Sequence, residues 1–187
     1  MWAVTSSRPT TRAAASPASG RTAQNLTDGS TLAKVNAICI DGGVLYAAGA
    51  EKVSGGRWKG VLWKDGQPTY FTEEVGTEVT GLYVKEGKYI IEGNMTADSG
   101  DIVTCIWTEE GVQVISEGMA LCQGTGLAVA GSDIYVAGNA YDMDYDTYEE
   151  IYRSPVWKNG TEMALEVVSS DNFTVWGLAC AFVDTQE

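Results

Sequence analysis

Short apolar segments alternate with glycine-containing turns along most of the chain. Ile38 and Ile40 precede one such turn, and Leu45 and Tyr46 follow it. Neither segment alternates strictly between apolar and polar positions, which is typical of strands that are covered on both faces. Beyond the first 23 residues, no segment of ten or more residues has the spacing of an amphipathic helix. The pattern therefore predicts an all-β fold.

These apolar segments belong to a unit that repeats. Three segments align with one another, and each precedes a tryptophan in a short apolar stretch. The segments are Val35–Gly49, Val79–Gly93 and Gly124–Gly138, and the tryptophans are Trp63, Trp107 and Trp157. The last glycines of the segments are 44 and 45 residues apart, and the tryptophans are 44 and 50 residues apart. The offsets define repeats of about 44–50 residues at 31–74, 75–118 and 119–168, with a partial repeat at 169–187.

Each repeat contains four predicted strands joined by tight turns. The last strand of each repeat is predicted at Thr69–Thr72, Val112–Ser116 and Met163–Val167. The pairs Asp65-Gly66 and Asn159-Gly160 favour the positive φ angles of type I′ hairpin turns. Four short antiparallel strands per repeat, covered on both faces, predict a β-propeller-like array. A β-sandwich also uses short strands, but it does not naturally produce this repeat.

The chain is expected to divide into a disordered leader at 1–23 and a propeller-like repeat domain at 24–187. Three complete repeats are fewer than the 4–8 blades of typical propellers, so we expect an incomplete array. Two arrangements stay open. Gln24–Ser30 and Thr174–Phe182 could form a composite last blade that closes a small ring, or the chain is a fragment of a longer propeller. Open sheet edges in a fragment would favour oligomerisation.

Motifs within the repeats resemble those of bacterial secreted and cell-envelope repeat proteins that carry Y-V-A-G, V-W-K-N-G and L-T-D-G in each unit. The matching stretches are Leu45–Gly49, Ile134–Gly138, Val61–Gly66, Val156–Gly160 and Leu26–Gly29. The resemblance covers roughly residues 24–182 and implies a propeller fold and an extracellular or cell-envelope location. It implies no particular reaction. The leader departs from that pattern, because it lacks the apolar stretch of an export signal.

Acidic residues dominate the composition. The chain has 25 acidic and 12 basic residues, no histidine and a net charge of −13 at pH 7. This charge repels phosphate backbones and anionic membrane surfaces, so nucleic acid is not an expected partner. No apolar stretch reaches the roughly 18 residues of a transmembrane helix, so no membrane insertion is expected. The absence of histidine excludes histidine-based triads and histidine-ligated zinc.

The third repeat carries an insertion at 139–153 with alternating acids. Asp142, Asp144 and Asp146 could start a calcium site, because calcium takes six to eight oxygen ligands. The insertion is not an EF-hand, since Thr147 and Arg153 stand where that loop needs glycine and glutamate. The alternative is an acidic hairpin in solvent. No cofactor other than calcium is expected.

The same insertion carries four tyrosines, Tyr141, Tyr145, Tyr148 and Tyr152. Exposed aromatic side chains on a long loop of a rigid scaffold are typical of binding sites, so we predict a protein or carbohydrate partner here. Trp58 is a further surface candidate. The three recurring tryptophans are expected to pack between the repeats.

Together these features favour a non-enzymatic binding or interaction module of the extracellular space or cell envelope. No catalytic residues are assigned. The alternative is a carbohydrate-active hydrolase with paired carboxylates, because some glycosidases use such pairs. No acid is expected at an equivalent inward position in several repeats, which disfavours this alternative.

Overall fold

The computed structural model describes residues 26–117, 121–144 and 146–164. Strands cover 69% of these residues, and the described residues contain no helix. The predicted all-β class is therefore confirmed. The predicted leader at 1–23, the strand expected over 174–182 and residues 165–167 lie outside the described residues.

The described strands form three antiparallel sheets that follow one another along the chain. The first sheet contains β1 (Ala33–Asp41), β2 (Val44–Lys52), β3 (Trp58–Lys64) and β4 (Gln67–Val75), in that order. The second contains β5 (Glu78–Lys85), β6 (Lys88–Thr96), β7 (Ile102–Thr108) and β8 (Gly111–Val114), again in order. The third contains β9 (Leu121–Ala130), β10 (Asp133–Asp144), β11 (Glu149–Arg153), β12 (Val156–Lys158) and β13 (Thr161–Glu162).

The long strand β10 organises the third sheet. Residues 133–141 of this strand pair with β9. On the other edge, its first half pairs with β12 and its second half with β11. The strand β13 pairs with β12 and ends at Glu162, so Met163 and Ala164 of the predicted strand Met163–Val167 lie just after it.

Two hairpin turns have the geometry that their Asp-Gly and Asn-Gly pairs predict. The φ angles are 46° and 81° at Asp65 and Gly66, and 53° and 80° at Asn159 and Gly160. The side chains also fix the turns. Oδ1 of Asp65 accepts a hydrogen bond from the backbone N–H of Leu45 at 3.0 Å, and Oδ1 of Asn159 accepts one from Ile134 at 2.8 Å.

Asp65→Ala should lower the free energy of unfolding by about 1–2 kcal/mol, because alanine tolerates a positive φ poorly and cannot accept the bond from Leu45. Asp65→Asn is the matched control, since Asn159 fills the same role in the third sheet. Urea denaturation would measure both variants. An equal loss of stability in the two variants would contradict this explanation, because asparagine keeps both the acceptor oxygen and the tolerance of a positive φ.

The glycines that end the aligned segments have a steric role. A Cβ on Gly49 would overlap the carbonyl oxygen of Lys34, and one on Gly93 would overlap that of Glu78. A Cβ on Gly138 would lie 2.8 Å from the carbonyl oxygen of Gln123. The first strand of each sheet thus approaches the second too closely for any side chain at this position.

The second sheet packs between the other two. Towards the first sheet, Trp107 and Ile91 share a buried cluster with Tyr46 and Leu62. Towards the third sheet, the cluster is formed by Ile106, Ile115, Cys122, Val136 and Trp157. A hydrogen bond of 2.8 Å from the N–H of Gly87 to Oδ2 of Asp41 links the first two sheets at their turns.

The recurring tryptophans are core residues, as predicted. Trp63, Trp107 and Trp157 are at most 1% exposed. Cys105 and Cys122 are buried free thiols, and Cys39 is a half-buried one.

One expectation about the strand faces is wrong. Ile38 and Ile40 were expected in a strand covered on both sides, but they are 67% and 71% exposed. Both lie on the face of β1 that points away from the second sheet, whereas Ala37 and Cys39 on the other face pack against it.

Candidate functional site

The insertion of the third repeat forms a hairpin from the end of β10 and β11. Tyr141 pairs with Tyr152 across the two strands, and their rings meet edge to face with centroids 5.3 Å apart. Tyr152 is 49% exposed and Ile151 is 41% exposed. The hydroxyl of Tyr152 donates a hydrogen bond of 2.8 Å to Glu150, and this bond raises the pKa of the tyrosine. We call residues 141–152 the aromatic hairpin.

The tip of the aromatic hairpin is organised by Asp144. Its Oδ1 accepts backbone N–H bonds from Asp146 at 2.8 Å and from Thr147 at 3.3 Å. These bonds lower the pKa of Asp144. The carbonyl of Asp144 accepts the N–H of Tyr148 at 2.7 Å. Tyr148 has a φ of 57° and is 78% exposed, so the turn presents this ring to solvent.

This geometry gives Asp144 a structural role in the turn. Asp144 ends β10 and Asp146 lies in the turn, so they do not share one side of a strand. Within the described residues, no group of three or more acidic or thiol side chains could hold a metal ion. The structure does not describe the side chain of Asp142, so the calcium site stays a prediction.

The sequence-predicted aromatic residues fall into separate places. Tyr141, Tyr148 and Tyr152 lie in the aromatic hairpin, while Tyr145 lies outside the described residues. Trp58 begins β3 in the first sheet, where it is half-buried beneath Lys34, whose Nζ lies 5.3 Å from the ring centroid. Trp58 therefore belongs to a different sheet from the tyrosines.

A second site, which the sequence did not suggest, lies between the second and third sheets. Glu92 on β6 is fully buried. Its Oε2 accepts a hydrogen bond from the hydroxyl of Thr80, while its Oε1 has no hydrogen-bond partner among the described residues. The carboxylate faces Gly124 of β9, where a Cβ would overlap Oε1.

A hydrogen-bond network continues from this position across the interface. The side chain of Asn94 donates to the carbonyl of Gly124 at 3.0 Å and accepts the N–H of the same residue at 2.7 Å. The hydroxyl of Thr104 donates to Oδ1 of Asn94 at 3.2 Å, and the backbone N–H of Thr104 donates to Oγ of Ser116 at 2.9 Å. The buried polar groups of Asn94, Thr104 and Gly124 are therefore satisfied, and Oε1 of Glu92 is the exception.

Burial governs the titration of this region. Burial raises the pKa of Glu92 to about 7, although the bond from Thr80 opposes the shift. Burial also raises the pKa of the neighbouring Cys105 thiol to about 12, and the charge of Glu92 adds to that effect. Cys105 is therefore a protonated, unreactive thiol at neutral pH.

The aligned repeats contain a signal for this site. Positions equivalent to Glu92 hold Ala48 and Ala137, and positions equivalent to Gly124 hold Val35 and Val79. A large acid thus replaces a small residue on one sheet where glycine replaces valine on the facing strand. The glycine thus leaves the space that the larger side chain of Glu92 fills.

Chemically, the interface offers one isolated carboxyl group. A pKa near 7 is suited to proton transfer, but Glu92 is 0% exposed, so a substrate cannot reach it in this conformation. In this conformation the site belongs to the packing between the second and third sheets.

Comparisons with protein-family models, curated proteins and solved structures give no match for this chain. In the described parts of the chain, no helix has the length and apolar character needed to cross a membrane.

Proposed function

We propose that this protein is a non-enzymatic binding module whose partner contacts the aromatic hairpin. The observation that carries the proposal is the exposure of Tyr148, Ile151 and Tyr152 on one projecting hairpin. Tyrosine is enriched among the residues that dominate binding energy, because its ring offers a large contact area and its hydroxyl a hydrogen bond. The paired ring of Tyr141 helps to hold Tyr152 in place before a partner arrives.

The proposed scaffold is a β-propeller-like array. Consecutive antiparallel sheets pack face to face, and the first strands contact one another, β1 with β5 and β5 with β9. Such first strands surround the axis of a propeller. A rigid stack of this kind would present the aromatic hairpin as a fixed projection. The proposed location is the extracellular space or cell envelope, which rests on the motif resemblance.

Exposed acids beside the tyrosines favour a partner with positive charge. Glu149 and Glu150 are both exposed on β11, and the whole chain carries −13. Opposite charge on a partner would speed its association and orient it on the hairpin.

Biolayer interferometry on the immobilised chain would test the proposal with two probe sets, lysine- and arginine-rich peptides and neutral soluble oligosaccharides. The double variant Tyr148→Ala and Tyr152→Ala should weaken binding at least about tenfold, as expected for a pair of dominant tyrosines. Tyr70→Ala is the matched control, since Tyr70 is 46% exposed on the first sheet.

Unchanged affinity in the double variant, with circular dichroism like that of the parent, would refute a role for the hairpin. Release of reducing ends from the oligosaccharides would instead support the hydrolase alternative. Weaker binding in the Tyr70 variant alone would move the site to the first sheet.

A further inference from the structure

The outer face of the first sheet has the features of an interface that is only partly covered. Ile38 and Ile40 on this face are 67% and 71% exposed. The equivalent residue of Ile40 in the second sheet, Val84, is 5% exposed because the first sheet covers it. The equivalents of Ile38, which are Leu82 and Leu127, also pack against the preceding sheet.

A repeated contact shows what kind of element belongs on this face. Each core tryptophan touches an apolar residue from the end of the preceding repeat. Trp107 meets the ring of Phe71 edge to face with centroids 5.4 Å apart, and Trp157 shares its cluster with Ile115. At the first sheet, Leu26 packs against the cluster that contains Trp63.

The sequence around Leu26 matches this position. Leu26-Thr27-Asp28-Gly29 aligns with Ile115-Ser116-Glu117-Gly118 at the end of the second repeat. Residue 26 therefore stands where the last strand of a preceding sheet would end. Leu26 thus takes the place of an outer residue of a further sheet, and no strand of the described sheets occupies the inner position beside Ile38 and Ile40.

We propose that residues 174–182 of this same chain supply that inner strand and cover Ile38 and Ile40. The stretch TVWGLACAF aligns with the first strands of the second and third sheets, so that Gly177-Leu178 matches Gly81-Leu82 and Gly126-Leu127. The segment lies outside the described residues, and it is apolar enough to cover an apolar face. The proposal rests on the propeller-like arrangement but not on the binding of any partner.

The packing of β1 against β5 fixes which residues would meet. Sγ of Cys39 lies 3.9 Å from the carbonyl oxygen of Val84. In the alignment, Ala179 corresponds to Cys39 and Ile40 corresponds to Val84. Residues 179 and 40 should therefore face each other, while Leu178 should point the opposite way.

A disulfide scan in the full chain tests this placement. Ile40→Cys is combined with Ala179→Cys in a background of Cys39→Ala and Cys180→Ala, which removes the neighbouring thiols. Oxidation with glutathione disulfide should join residues 40 and 179 within one chain, as peptide mapping by mass spectrometry would show. The control pair Ile40→Cys with Leu178→Cys should join much more slowly.

Equally fast disulfide formation in both pairs would overturn the proposal. A disulfide between two chains would also overturn it, because a second copy would then supply the strand. A second measurement covers the case in which neither bond forms. The single variant Ile40→Cys should react with a maleimide at least about tenfold more slowly than Asn36→Cys, whose position on β1 is exposed. Equal rates would overturn the proposal. None of these readouts involves a ligand, so they can fail while the proposed binding function holds, or the reverse.

Discussion

Gly124→Ala should destabilise the protein by about 3 kcal/mol, and Glu92→Ala in the same chain should remove much of that loss. The added Cβ would overlap Oε1 of Glu92 and lie 2.5 Å from Cγ2 of Thr104. Overpacking of this kind typically costs about 1–3 kcal/mol. The backbone of Gly124 is not in the left-handed region, so the expected loss comes from the contacts.

A double-mutant cycle measured by urea denaturation would test this coupling. The double variant should be about 2–3 kcal/mol more stable than the sum of the single effects predicts. Adding Thr104→Ser, which removes the methyl group and keeps the hydroxyl, should recover a further part of the lost stability. The interface between the first and second sheets shows packing without this overlap. There, Ala48 and Val79 occupy the positions equivalent to Glu92 and Gly124 in one buried cluster.

Glu51→Ala combined with Gly124→Ala is the control cycle, because Glu51 lies on the first sheet. These two changes should add within about 0.5 kcal/mol. Additive behaviour of Glu92 and Gly124 as well would mean that the carboxylate does not occupy the space in front of the glycine.

The second large effect is a loss of stability with rising pH that depends on Glu92. The folded state raises the pKa of this carboxyl from 4.5 to about 7. Between these values the folded protein keeps a proton that the unfolded chain releases, so the free energy of unfolding falls as pH rises. The contribution is complete below pH 4.5 and is lost by about pH 7, a change of about 3 kcal/mol.

Glu92→Gln isolates this effect, because glutamine has the same shape and does not titrate. Burial raises the pKa of the Cys105 and Cys122 thiols, and the charge of Glu92 adds to the shift of Cys105. They stay protonated in this pH range. Urea denaturation of both proteins from pH 4 to 8 should show the variant gaining about 3 kcal/mol relative to the parent. A constant difference across the range would mean that Glu92 titrates as an exposed carboxyl does.

Comparison with the parent chain is necessary since other carboxylates act in the opposite direction. Hydrogen bonds from Lys158 and Asn159 lower the pKa of Asp133, and backbone N–H groups lower that of Asp144. Their contributions are present at neutral pH and are lost on acidification. The difference between parent and variant removes these common terms.

The candidate sites differ in how far sequence reasoning could reach them. The tyrosines of the insertion could be picked out from the sequence, because a long polar loop with aromatic residues interrupts a regular repeat. The role of Asp144 as acceptor for two backbone N–H groups could not be predicted, because an Asp-x-Asp pattern fits a turn as well as a metal site. Glu92 could not be singled out among 25 acidic residues, because nothing in its local sequence indicates burial. Only the comparison with Ala48 and Ala137 at the equivalent positions distinguishes it.

Sequence reasoning alone reached the all-β class, the two type I′ turns and the packing role of the recurring tryptophans. These features depend on local φ preferences and on apolar patterns that return in every repeat. The three-dimensional packing was needed to show that Glu92 is enclosed between two sheets and that none of the three described sheets covers Ile38 and Ile40. Burial depends on which sheet lies against a given face, and that neighbour comes from a distant part of the chain. Identical strand patterns can therefore end in opposite environments.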